Sequence, residues 1–155
     1  MTDTPALPPG AVITFRCHTV SAGRFRQMNW VRDLPPQVID EPSALLGLDK
    51  APSPSEALLA ALGSSLAMGI HAGAIARDII VHRLEVDLEG DTQQAGAVGT
   101  APRPIGFNVI RVAVLLETNA PREVLSELVA HATLASPVAN TLHNPVHLDV
   151  ALSGY

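Results

Sequence analysis

Hydrophobic and polar positions fall into two periods along the 155 residues. Period two marks strands. Residues 11–20 (AVITFRCHTV) partly alternate and are rich in β-formers, which predicts a strand. Ser21-Ala22-Gly23 is turn material, and 24–32 (RFRQMNWVR) predicts a second strand that makes a hairpin with the first. Leu34–Asp40 predicts a short third strand, which Pro35 and Pro36 confine to an edge. Residues 79–89 set Val81, Leu84, Val86 and Leu88 against His82, Arg83, Glu85, Asp87 and Glu89. That is a strand with one wet face, its acidic row facing solvent. Phe107–Thr118 predicts another strand after a Gly-rich loop over 90–104, and Val146–Leu152 a final one.

Period 3.6 marks two helices. Ser53-Pro54-Ser55-Glu56 has a capping Ser, a Pro suited to the first helical position and a Glu three residues after the cap. The helix should run to about Arg77. Its Gly63, Gly69 and Gly73 each cost about 1 kcal/mol against Ala, so a second helix packed across it is expected. Pro121–Ala135 is amphipathic, with Val124, Leu125, Leu128, Val129 and Ala132 on one stripe and Asn119 as the expected cap. Ser136-Pro137 ends it and opens a short turn through Leu142. The order β-β-(β)-α-β-β-α-β argues α+β with a mainly antiparallel sheet. One sheet covers only one side of so apolar a first helix. It is expected to be buried on most sides, with a symmetric partner chain covering the rest.

Composition narrows the function classes. At 47% hydrophobic and 16% charged, the chain is no disordered polar segment. It reads as one domain spanning 1–155, with 1–10 a flexible start. Net charge of -5, one Lys and 3% aromatics disfavour nucleic acid as a partner. Residues 57–76 carry no formal charge and are long enough to span a bilayer, but they are rich in Ala, Gly and Ser and lack flanking Lys/Arg clusters. A core helix, no membrane partner and a cytoplasmic location are expected, with no basic leader before it.

The motifs are more particular. Residues 41–66 place Gly47 and Asp49 before a P-x-P segment, followed by a long Ala/Leu helix carrying Gly63-Ser64-Ser65-Leu66. After the second helix comes Ser136-Pro137-Val138-Ala139-Asn140-Thr141-Leu142, just before the last strand. With the order of elements, these resemble the OsmC/Ohr family (osmotically inducible protein C and organic hydroperoxide resistance proteins) over nearly the whole chain. The resemblance implies an intertwined homodimer, with sheets from both chains wrapped around two long central helices. It implies a thiol peroxidase that reduces organic hydroperoxides without a cofactor or metal. A reactive Cys in the central helix and a resolving Cys after the second helix carry the reaction, and an Arg and a Glu activate the thiol.

The chain departs from that pattern where the chemistry is done. The reactive-Cys position matches Ser65 and the resolving-Cys position Ser136. The activating Glu position is Ser55, with Glu56 one residue late and so about 100° away on a helix. Arg24 best matches the activating Arg, with Arg26 second. Peroxide reduction needs sulfur that becomes a sulfenic acid and then a disulfide. A serine hydroxyl does neither, so a retained pocket for a small apolar or acyl ligand between the chains is the leading expectation. That pocket should gather Ser65, Ser136, His71 and, from the other chain, Arg24. A second expectation is an enzyme with relocated or other chemistry, through Cys17 or a Ser65-based hydrolase. A third is a structural or regulatory partner protein.

Other residues weigh less. Cys17, between Arg16 and His18, reads as a buried structural thiol. His71 lies six residues past Ser65, about 240° round the helix, and so cannot be its base within one chain. His71 and His131 read as hydrogen-bonded pocket histidines on packed helices. His143, His147 and Asp149 lack metal-binding spacing and read as surface groups.

Overall fold

A computed structural model describes residues 10–92 and 106–152. The Pro-rich start, 1–9, and most of the Gly-rich loop lie outside the described residues. The chain divides into two compact units, Met1–Ser55 and Glu56–Tyr155.

In the first unit, β1 (His18–Ser21), β2 (Gln27–Trp30) and β3 (Gln37–Ile39) form an antiparallel sheet in that order. β1 and β2 pair His18 with Trp30 and Ser21 with Gln27, closed by Ala22 N–H donating to Arg26 C=O at 2.9 Å. β3 lies at the edge, as Pro35 and Pro36 require. The strands are shorter than the alternation suggests. Residues 11–17 stay outside the ladder, and Cys17 is exposed rather than buried because β1 begins one residue after it. A 3₁₀ turn, Ser43–Leu45, opens the loop after β3.

The second unit takes in nearly all of α1 (Pro54–Ile75), then β4 (Val81–Thr92), β5 (Phe107–Thr118), α2 (Arg122–Ala135) and α3 (Pro137–His143). β4 and β5 are antiparallel, pairing Leu84 with Leu116, Val86 with Val114 and Leu88 with Val112. The outer face is charged: Arg111 grips Asp91 through two N–H groups, both at 2.7 Å, and also bonds Glu89. Arg83 pairs with Glu85 and Glu117. The core lies between the helices and the inner face, where Ile70, Ala74, Leu128 and Ala132 are buried.

The glycine expectation holds where α1 meets α2. A Cβ on Gly69 would lie 3.2 Å from Ala132 Cβ, and one on Gly73 2.6 Å from Leu128 Cδ1. α1 stops in a Schellman motif: Asp78 adopts φ 54°, with Asp78 N–H on Ile75 C=O and Ile79 N–H on Ala74 C=O.

Two expectations fail here, and the burial expected of α1 is supplied by this chain on one side only. α1 is buried only along Leu62, Gly63, Leu66, Ile70 and Ala74; Met68 is 71% and Ile75 76% exposed. The apolar surface of the helix exceeds what one two-stranded sheet and α2 cover. Asn119 does not cap α2, which starts after Pro121 with no side-chain cap. Asn119 Oδ1 accepts the Ile80 N–H instead, at 2.9 Å. Residues 146–152 form no strand, since no described strand lies alongside to complete their hydrogen bonds, and they are exposed.

Candidate functional site

The second unit builds its site at the junction of α1 with the α2–α3 corner. Pro137 cannot continue α2, so the chain turns at Ser136 and restarts as α3 with Pro137 in its first turn. Ser136 is 3% exposed. Its Oγ accepts the Ala139 N–H at 3.1 Å, capping α3. Asn140 locks the corner through Nδ2, which donates to the carbonyls of Leu134 and Ser136, both at 2.8 Å. Opposite stands Ser65, half-buried on α1 two turns before Ala72. Ser65 Oγ and Ser136 Oγ are 2.8 Å apart, and either can donate. Residues 71 apart in sequence thus meet hydroxyl to hydroxyl. Ser136 is left with one accepted and one shared hydrogen bond, and no buried side-chain N or O among the described residues lacks a partner.

The remaining candidates scatter. His71 and His131 are both exposed, on α1 and α2. In this chain they lie off the α1–α2 contact, which runs through Gly69, Gly73, Leu128 and Ala132. Ser55 and Glu56 are exposed at the start of α1, and His147 and Asp149 in the C-terminal segment. Arg24 and Arg26 are exposed on the β1–β2 turn of the first unit. Beside Ser65's helix face, a cavity of about 490 Å³ is lined by Leu66, Ile70, Val112, Val129, Leu142 and His143, among others. Chemically, the Ser65–Ser136 pair can hold two helices together. It offers no sulfur to oxidise and no imidazole to deprotonate it.

One organising residue escaped the sequence reading. Asp40, 1% exposed at the end of β3, receives the N–H groups of Glu41, Leu48 and Lys50 at 2.9, 3.3 and 3.3 Å. The Glu41 amide is the main reason its carboxyl titrates below the ordinary range, with Leu48, Lys50 and the Arg26 charge adding to it against burial. An acid just after a strand and before a Pro/Gly-containing loop is the sequence signal for such an anchor.

The family model described as OsmC-like protein matches residues 47–151. The chain belongs to the OsmC-like family. Similar OsmC-like folds are known in solved structures. An OsmC like protein from Mycoplasma pneumoniae superposes with a TM-score of 0.72 at 17% identity, covering 84% of this chain and 88% of that one. An organic hydroperoxide resistance protein OsmC from Legionella pneumophila gives 0.58 at 17%, covering 85% and 90%. An OsmC-like hydroperoxide resistance protein from Jannaschia sp. gives 0.57 at 21%, covering 90% and 92%. At these identities the likeness concerns the OsmC-like fold alone. No curated protein matches the chain.

Proposed function

We propose that this OsmC-like chain has lost the thiol peroxidase reaction of its lineage and keeps the scaffold for binding. The observation that carries this reading is the Ser65–Ser136 contact at 2.8 Å. Oxygen stands at both positions that match the family cysteines, and the two hydroxyls satisfy each other. A serine beside no base stays protonated at neutral pH, and a hydroxyl cannot pass through sulfenate and disulfide. With Ser55 exposed at the Glu position, Arg24 has no matching carboxylate from the motif.

The same proposal takes the whole chain, 1–155, as one OsmC-like domain that works as a homodimer. Support comes from the exposed apolar flank of α1 at Met68 and Ile75 and from the strand-patterned but unpaired 146–152. A small apolar or acyl ligand between the chains is its expected cargo, supported by the apolar cavity against α1. The exposed free thiol of Cys17 suits the reducing cytoplasm.

The test is turnover of an organic hydroperoxide such as cumene hydroperoxide with a dithiol reductant. The intact protein should give no rate above a heat-denatured control. Turnover that disappears in Cys17→Ser would overturn the proposal and move the chemistry to that thiol.

A further inference from the structure

The loop after β3 carries a knuckle of exposed leucines. Leu45, Leu46 and Leu48 are 54%, 78% and 62% exposed. The loop that holds them is not slack. Asp40 receives the N–H groups of Glu41, Leu48 and Lys50. Its own N–H donates to Pro52 C=O at 3.1 Å, which ties the two ends of the loop together. Leu46 is held at φ 68°, a conformation that leucine rarely takes. Gly47 sits so close to the Glu41 backbone carbonyl that a Cβ would collide with it. Leucines fixed outward against their backbone preference mark a surface that another surface covers.

α1 offers an apolar face near its far end. Met68, His71 and Ile75 recur at spacings of three and four, so they share one side of the helix. Met68 and Ile75 are 71% and 76% exposed there. The covalent chain keeps Ile75 away from its own knuckle. Leu48 lies six residues before Pro54, where α1 begins, and six residues span about 20 Å at full stretch. α1 has 22 residues and runs about 30 Å at its rise of 1.5 Å per residue. Leu48 and Ile75 of one chain therefore stay about 10 Å or more apart at the backbone. The tie between Asp40 and Pro52 shortens the reach further, which puts the two beyond packing distance.

We infer that the leucine knuckle of one copy docks on the Met68–Ile75 face of α1 in a second copy, and the second knuckle on the first copy's α1. A two-fold axis makes the contact isologous, each chain giving one knuckle and one helix face. Two antiparallel α1 helices set the start of one toward the end of the other, where these patches lie. Arg24 shares a cavity with Leu46 and Leu48, so it travels with them to the second copy's α1. The inference rests on the homodimer proposed above and assigns the surfaces that make it.

The test is cross-linking of the full-length protein in a Cys17→Ser background, which removes the one native thiol. Leu48→Cys chains and Ile75→Cys chains, tagged to differ in size, are co-expressed and treated with a short bismaleimide. The main product should be a covalent dimer holding one chain of each kind, with little dimer from either variant alone. A chain carrying both Leu48→Cys and Ile75→Cys should cross-link to a dimer; an internal bridge that runs as a monomer overturns the reach argument. Leu48→Asp should weaken dimerisation about tenfold or more in light scattering, and an unchanged dimer affinity overturns the contact. Leu48 and Ile75 are exposed, and unchanged far-ultraviolet circular dichroism certifies that the variants fold. The two readings fail differently. A dimer in light scattering without the mixed cross-link, or with stronger cross-links between like chains, overturns the knuckle contact and leaves the homodimer standing. A monomer at every concentration overturns both.

Discussion

At the scale of residues, two polar groups organise the two units, and only one was legible in the sequence. Ser65 and Ser136 could be singled out because a family pattern expects sulfur there; their contact could not, because 71 positions separate them. Removing Ser136 Oγ takes away both the α3 cap and Ser65's partner, so Ser136→Ala should destabilise by about 1–2 kcal/mol. Ser65→Ala leaves the cap in place and should cost about 1 kcal/mol or less. Urea unfolding of both singles and the double mutant checks this: the double should cost less than the sum, because the shared bond is counted twice. The pair Ser65→Cys with Ser136→Cys should oxidise to an intrachain disulfide, read as a mobility shift reversed by reductant. It should raise stability by about 2–4 kcal/mol. Asp40 was overlooked because its role is to collect amides from a loop, which no periodicity announces. Its lowered pKa fixes the sign of a pH effect. The carboxylate stabilises the fold above the ordinary value of 3.8, and that contribution fades as pH falls from there toward the lower folded value. The protection factors of the Leu48 and Lys50 amides should therefore fall below about pH 4 in the native protein and already be low at neutral pH in Asp40→Ala.

At the scale of elements, long periodic segments were read well and ends were not. Phe107–Thr118 has the bounds its alternation predicts, and α1 begins at Pro54 as its start signal requires. Asn119 was misread because an Asn two residues before a Pro can serve either the helix it precedes or the backbone across from it. Here the Ile80 amide takes it. Residues 146–152 carry strand alternation without a ladder, since pattern describes a face and says nothing of the neighbour that must supply hydrogen bonds. The α1–α2 crossing was foreseeable from glycine alone, and it makes a sharp prediction. Gly69→Val places bulk where a Cβ already lies 3.2 Å from Ala132, and should destabilise by about 1–3 kcal/mol despite removing a helix-interior glycine. Leu128→Ala, at a fully buried position, should cost about 2–5 kcal/mol. Thermal unfolding measures both.

At the scale of the whole molecule, the α+β class and family were legible because the P-x-P spacing, Gly63-Ser64-Ser65-Leu66 and the Ser-Pro corner carry the family pattern without a cysteine in either motif. The proposed homodimer rests on apolar surface that one chain leaves wet. Met68→Asp or Ile75→Asp should shift the protein from dimer to monomer in light scattering, with the peroxide assay unaffected. The exposed flank of α1 has one more consequence. If burying it completes the fold, part of the folding free energy depends on meeting another copy, and stability becomes a function of abundance. The melting temperature should then rise with protein concentration. Dilution alone would act as a denaturant, so a cell making too little of this chain would hold it half-finished and open to proteases.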